Sequence, residues 1–183
     1  MEACQRGEIA AEHLPFLLRD LINPSLDTTI SAIGQLVVEL ARNPDEWAAL
    51  KADRSLAAQA AMEAVRLSTP IRSFSRRATR DVVVEGVEIP EGSRVMMLYA
   101  SANRDERVFA DPDRFDLDRP ARRHLGFGAG IHMCVGMHLA LMEMECLLAA
   151  IVERADDLEV GTPEPAMNNT ICGFAKLPMR FRG

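Results

Sequence analysis

The stretch Phe127-Gly128-Ala129-Gly130-Ile131-His132-Met133-Cys134-Val135-Gly136 decides how this chain is read. Three glycines surround one cysteine. Glycine is the residue that lets a backbone turn tightly and approach a neighbour closely, so the run predicts a loop whose main chain lies against something flat and bulky. A strongly apolar pattern follows over residues 135–154 and predicts a helix. Cys134 then stands at that helix's start, where free N–H groups and the positive end of the dipole stabilise a thiolate. A glycine-rich turn with a buried, inert cysteine is the competing reading, and for an isolated cysteine it would be the default.

Upstream of the loop the chain changes character twice. Residues 15–41 carry Leu17, Leu18, Leu21, Ile30, Ile33, Val37 and Leu40 at helical spacing, which predicts a long helix; residues 7–18 read as the end of another helix or a short connector. Asn43-Pro44 ends it and opens another, with asparagine as cap and proline at the first helical position. A further helix covers residues 56–67 and stops at Thr69-Pro70. Val82-Val83-Val84 and residues 94–99 predict strands with turns at Glu85-Gly86 and Glu91-Gly92. Residues 102–125 hold many Asp, Arg and Pro without periodicity, an irregular length of the kind that is either functional or disordered. Residues 168–181 read as a small hairpin around Cys172-Gly173. The expected class is α+β, mainly α, in a single unit.

Composition excludes several alternatives. The 183 residues are 48% apolar and 26% charged, with a net charge of −6, ordinary for a soluble globular chain and unsuited to generic nucleic-acid binding. No apolar run approaches the roughly 18 residues of a membrane span. Met1 to Arg6 has no apolar signal core, so the cytoplasm is the expected location. Among Cys4, Cys134, Cys146 and Cys172 there is no C-x-x-C pair, which argues against structural zinc.

The run F-G-x-G-x-H-x-C-x-G resembles the cysteine-ligand signature of the cytochrome P-450 family at every fixed position, and the resemblance extends from the first long helix to the C-terminus. It implies the C-terminal, haem-binding portion of that fold: a long kinked oxygen-side helix, a brace helix, a small sheet, an irregular segment, the cysteine loop and the helix after it. Residues 1–183 are then one partial domain, and the family's N-terminal half has no counterpart among them. A large apolar face should be exposed as a result. The cofactor implied is haem b, iron protoporphyrin IX, with Cys134 as axial thiolate and sole protein ligand to the metal. Phe127, Gly128 and Gly136 would line the cofactor.

Further correspondences carry roles by resemblance. Glu63 and Arg66, an E-x-x-R pair that alone could be a surface ion pair, would lock with an arginine of the irregular segment, taken as Arg114 in Asp111-Pro112-Asp113-Arg114-Phe115. Arg76, in Arg76-Arg77-Ala78-Thr79-Arg80-Asp81, would pair with a haem propionate; His124 and His132 are further candidates for that task. Asp27-Thr28 would serve the oxygen side, with Thr28 steadying dioxygen and Asp27 relaying protons. Pro24-Ser25 stands where relatives carry Ala or Gly followed by Gly; Pro24 should kink or bulge the helix. Leu26, Thr29, Ile71, Ser73, Phe74 and Phe174 are the candidate contacts for a small organic substrate, with core packing an equal reading for Ile71 and Phe74. Arg72 could indicate a substrate bearing a carboxylate.

The activity implied is a haem-thiolate monooxygenase, or a portion of one, using O2 and electrons from a ferredoxin or flavin-type donor docked near Cys134. Arg122 and Arg123 could form a basic patch there, whereas Leu141 occupies a position at which relatives often carry arginine. Two alternatives stay open: a catalytically silent haem-binding or interaction module, and a peroxide-driven haem enzyme, against which the Asp27-Thr28 pair speaks.

Overall fold

The computed structural model describes residues 2–120 and 123–183. After a short helix α1 (Glu2–Gln5) and a 3-10 turn at Ala11–His13, helix α2 (Leu14–Arg42) runs for 29 residues, a length of ~44 Å. Pro15 lies in its first turn, where no N–H partner is lost. Pro24 lies inside it, and the expected bulge is not there: the helix continues as α through this position. The proline removes one rung of the ladder, and hydroxyls gather on the carbonyls around it. Ser25 Oγ donates to Ile22 O, Thr28 Oγ1 to Pro24 O and Ser31 Oγ to Asp27 O, each at 2.7 Å.

Asn43 joins α2 to α3 (Pro44–Ala52), with Pro44 in the first turn as predicted. Its side chain does not cap α3. Asn43 Nδ2 instead donates back to Glu39 O at 2.8 Å, satisfying the end of α2. Helix α4 (Ala57–Ser68) ends at Thr69 in the left-handed conformation, φ 40°. It lies between α2 and α6 (Met137–Arg154), and its inward face is built from Ala60, Ala61, Ala64 and Val65, all buried. Small residues let both neighbouring helices approach. Leu36, Val37 and Leu40 of α2, Trp47 and Leu50 of α3, and Met144, Leu148 and Val152 of α6 complete one core, with Phe115 and Leu117 inserted from the irregular segment.

Four two-stranded antiparallel ladders lie around this core. Strand β1 (Ser73–Arg77) pairs with β4 (Arg94–Leu98), Ser73 opposite Leu98 and Arg77 opposite Arg94. Strands β2 (Val82–Val84) and β3 (Val87–Ile89) form a hairpin whose turn, Glu85-Gly86, has φ of 48° and 82°, the double positive φ that a tight hairpin needs. Tyr99, expected to end a strand, opens a helical turn, α5 (Tyr99–Ala102).

A small hairpin does form here, but its turn lies at residues 168–171 and not at Cys172-Gly173. Strand β7 (Phe174–Lys176) pairs with β6 (Glu164–Pro165), and β8 (Met179–Arg182) with β5 (Asp157–Val160). Residues 170–172 also lie beside residues 70–72: Ile71 and Ile171 form a bridge, and Cys172 N donates to Pro70 O at 2.8 Å. Gly173 is pressed so closely on α2 that a Cβ there would stand 2.6 Å from Ser31 Oγ. The segment is thus held both by partners distant in sequence and by a local turn, in which Asn168 Oδ1 accepts from Thr170 N at 2.8 Å and Ile171 N at 2.9 Å while Ala166 N donates to Gly173 O at 2.9 Å.

Candidate functional site

The cysteine loop is closed by short-range bonds. Gly128 N donates to Leu125 O at 3.0 Å, Met133 N to Gly130 O at 3.1 Å and Cys134 N to Phe127 O at 2.8 Å. Gly128 has φ +73°, and a Cβ at this position would meet His132 O at 2.7 Å, so only glycine fits. Cys134 is an exposed free thiol, two residues ahead of Gly136, the N-cap of α6. Met137 N reaches back to Cys134 O. Cys134 is thereby held at the N-terminal end of an 18-residue helix. His132, in the 3-10 turn Gly130–His132, is exposed. Arg122 lies outside the described residues; Arg123 is exposed.

His124 differs from every other histidine described. It is 7% exposed, with its ring 5.7 Å from that of Phe127. Gly126 N donates to His124 Nδ1 at 2.9 Å, which places the proton of the neutral ring on Nε2. Nε2 is buried without a hydrogen-bond partner. Burial first, and the Arg66 charge second, push the imidazole down to about 4. The loop therefore holds a neutral N–H donor that lacks an acceptor, which a native structure tolerates only for a reason.

Beneath the loop is a fully buried ionic cluster. Glu63 and Arg66 are both 0% exposed, and Arg66 Nε and Nη2 grip the two Glu63 carboxylate oxygens at 2.8 Å each. Arg66 Nη1 also donates to Asn103 O at 2.8 Å and Pro112 O at 2.7 Å, and the guanidinium sits over the Phe109 ring. The third member is not Arg114. It is Arg119, whose Nε donates to Glu63 Oε1 at 2.8 Å and whose other nitrogens take the carbonyls of Ala110, Asp111 and Arg114. The Arg114 side chain is 62% exposed and faces Glu46 at 3.7 Å; only its carbonyl joins the cluster. The signal for Arg119 was present in the alternation of Phe115, Leu117 and Arg119, all buried, with the outer Asp116 and Asp118. Asn103 links cluster to loop: its Oδ1 accepts from Leu125 N at 2.6 Å, and its Nδ2 donates to Thr69 Oγ1 at 2.9 Å.

The sheet contributes a second wall. Arg76 Nη1 donates to Ser75 O at 3.0 Å and Nη2 to Tyr99 Oη at 3.5 Å; no carboxylate pairs with Arg76 among the described residues. Phe74 packs edge-on against the same tyrosine ring, centroids 6.3 Å apart, so Phe74 and Arg76 share one face. Strand alternation puts Ser73 on the other face of β1, away from Arg76; Ile71 lies ahead of β1 and is bridged to Ile171. Phe174 is also accounted for by packing: its ring edge lies 3.2 Å from where a Gly34 Cβ would stand on α2.

On α2, Asp27 is exposed and Thr28 half-buried with its hydroxyl on Pro24 O. Leu26 is exposed, whereas Thr29, expected to share its surroundings, is buried against the chain. No hydrogen bond or ion pair joins Asp27 or Thr28 to the cysteine loop among the described residues. Exposed apolar side chains flank all three regions: Leu21, Ile22 and Ile30 on α2, Met97 and Leu98 on β4, Ile131 and Val135 beside Cys134.

These features fit haem. Among the described residues no three His, Cys, Asp or Glu side chains converge, so an ion bound by Cys134 must bring its remaining ligands with it, as porphyrin iron does. His124 Nε2–H supplies a donor for a carboxylate, and the apolar surroundings suit a macrocycle. No described helix is long and apolar enough to cross a membrane.

The family model described as Cytochrome P450 matches residues 2–182. Cytochrome P450 CYP199A2 of Rhodopseudomonas palustris is 46% identical over 176 residues, covering 96% of this chain and 43% of that protein. Cytochrome P450-terp of a Pseudomonas species is 43% identical over 156 residues, covering 85% of the chain and 36% of its own length. The crystal structure of CYP109E1 from Bacillus megaterium, in complex with corticosterone, superimposes with a TM-score of 0.90 at 26% identity, over 96% of this chain and 48% of that one. The chain thus spans less than half the length of each.

Proposed function

The chain belongs to the cytochrome P450 family, and we propose that residues 1–183 form the haem-binding portion of a monooxygenase acting on a small organic substrate. The observation that carries this reading is the pairing of an exposed Cys134 thiol at the start of α6 with a buried His124 Nε2–H that has no acceptor in the protein. When bound, haem supplies the iron at which O2 is activated, with two electrons and two protons consumed for each oxygen atom inserted and one water released.

The chain's own residues then have distinct tasks. Cys134 would ligate the metal through its sulfur. The glycines at 128 and 136 would leave room for the macrocycle, and Phe127 would pack against it. His124 Nε2–H and the Arg76 guanidinium hold propionates, charge-assisted bonds in both cases; His132, exposed, is the weaker partner. Glu63, Arg66 and Arg119 fix the irregular segment and, through Asn103, the loop. Asp27 would take protons from solvent at its carboxylate and relay them to the oxygen side, where Thr28 Oγ1, its own hydrogen directed at Pro24 O, would steady a proton-bearing group by accepting a hydrogen bond from it. Electrons come from a ferredoxin or flavin-type donor, and the cytoplasm is the proposed location.

The first test is the spectrum of the purified chain with haemin, reduced and exposed to carbon monoxide, beside Cys134→Ala. A strongly red-shifted Soret band that disappears in the variant is expected. Haem uptake with no such band overturns thiolate ligation. A second reading, haem binding without turnover, is favoured by the exposed apolar side chains along α2; a Cys134-dependent band with no O2 consumption in the presence of a reductase system would select it.

A further inference from the structure

Arg76 has a neighbour to which no task has been given. Tyr99 is the single tyrosine of the chain. It follows β4 directly and opens the turn α5, where two bonds hold the backbone: Asn103 N donates to Tyr99 O at 2.9 Å, and Ala100 N donates to Arg72 O at 3.2 Å. Asn103 is fully buried and carries the Arg66 guanidinium on its carbonyl, so the turn is tied to the brace. Tyr99 itself is half-buried. Its ring meets that of Phe74 edge-on, with the planes at 86°, and its hydroxyl reaches Arg76 Nη2. These contacts, with no appeal to strand alternation, bring the phenol to the same place as Phe74 and Arg76.

Counting donors shows what the pair lacks. A guanidinium only donates, so Tyr99 Oη can only accept from it, and the hydroxyl hydrogen is left over. Among the described residues that hydrogen has no acceptor. The bond it accepts is a weak one: Nη2 and Oη stand 3.5 Å apart, beyond the ~2.9 Å of an ordinary N–H···O bond. Arg76 makes one other side-chain bond, to the carbonyl of its neighbour Ser75. Two donors, one of them fully charged, therefore lie side by side with hydrogens to spare. A carboxylate has the lone pairs to take both.

We propose that Tyr99 is a further haem-binding residue: its hydroxyl and the Arg76 guanidinium together grip one propionate. This deepens the reading in which Arg76 holds a propionate, and rests on it. On haem binding the hydroxyl turns from acceptor to donor. The brace thereby acts on the cofactor from two sides, through Leu125 and the loop and through Asn103 and Tyr99. The interaction is one of binding, with no bond made or broken.

The test measures loss of haemin, and of haemin dimethyl ester, to a scavenging globin from the unaltered chain, Tyr99→Phe, Arg76→Gln and the double variant. Tyr99→Phe keeps the ring against Phe74 and removes only the hydroxyl. It should speed loss of haemin about tenfold or more, as loss of one hydrogen bond to a charged group implies, and leave loss of the ester unchanged. The double variant should fall short of the product of the single effects, since both donors serve one carboxylate. Ultraviolet resonance Raman of the one tyrosine should show its hydroxyl become a donor when haemin is added. Unchanged haemin loss from Tyr99→Phe overturns the proposal; Arg76→Gln then decides the reading beneath it, faster loss leaving Arg76 as a lone propionate partner and unchanged loss removing it from the site. An equal effect of Tyr99→Phe on the ester means the hydroxyl acts through packing, and also overturns the proposal. A double variant equal to the product overturns the shared grip. Failure of the unaltered chain to take up haem removes the reading and the proposal together.

Discussion

At the scale of single residues, the loop joins two side chains whose settings are opposite. Cys134 is open to solvent, whereas His124 is buried with a donor unmet. The histidine makes a pH prediction. In the unfolded chain it takes up a proton near 6.5; in the fold it does so only near 4. Between those values the unfolded state binds more protons, so stability falls as pH is lowered through that window, by roughly 3 kcal/mol in total. Urea midpoints of the haem-free chain from pH 7 to pH 4.5 should show this slope beyond the slope of His124→Gln, and parallel curves would refute a neutral buried ring. A carboxylate set on Nε2 favours the charged form, so haem should remove the excess slope. The glycines give a second prediction. Gly128→Ala forces a Cβ into a positive-φ site 2.7 Å from His132 O and should speed haem loss to a scavenging globin at least about tenfold. Gly136→Ala meets only Cys134 Sγ at 3.9 Å, an ordinary contact, and should leave stability unchanged.

At the scale of elements, the irregular segment is held by arginines inserted into a helical core, and the two candidates separate cleanly. Arg119→Ala leaves Glu63 buried with Arg66 as its one remaining partner and withdraws the guanidinium donors from the carbonyls of Ala110, Asp111 and Arg114, which should cost about 3–5 kcal/mol in chemical denaturation. Arg114→Ala removes an exposed pair and should cost less than about 1 kcal/mol; the reverse order would mean the brace is misassigned. The difference also marks what was legible in the residues. Periodicity carries the long elements, so α2, α4, α6 and the turn at Glu85-Gly86 were predicted nearly as found, and the cysteine run fixed the loop. The choice between Arg114 and Arg119 depended on which way an aperiodic chain turns after Asp111, at φ 46°, where a motif spacing carries no direction; only the in-and-out alternation of Phe115, Leu117 and Arg119 did. Strands β6 and β7 and the bridge at Ile71 were hidden for a related cause, since such short pairings leave no period and the partner of Ile71 lies far along the chain at Ile171. The side-chain hydrogen bonds of Asn103 to Thr69 and Leu125 required the fold to be seen.

At the scale of the whole molecule, helix α2 is two helices in energetic terms. Its C-terminal half buries Leu36, Val37, Val38 and Leu40 in the common core, whereas Phe16, Leu17, Leu18, Leu21, Ile22, Leu26 and Ile30 are all exposed, on every side of the helix. Helix stability in proteins comes chiefly from burying a face, and the first half buries almost none. Pro24 removes a backbone bond at the centre of that half, and the Asp27-Thr28 pair lies just beyond it. Local opening should therefore begin at the N-terminal end and stop where packing begins, near Ala32. Native-state hydrogen exchange on the isolated chain should find amides of residues 17–26 exchanging at least about a hundredfold faster than those of residues 35–41. Haem should slow the first group more than the second, because an apolar macrocycle covering this stretch adds burial where there is least. Uniform protection along α2 would refute the division. Protection that rises on haem binding only in residues 35–41 would separate the oxygen-side pair from the haem face altogether, since Asp27 and Thr28 can act on bound O2 only if the turn that carries them is ordered by the same cofactor.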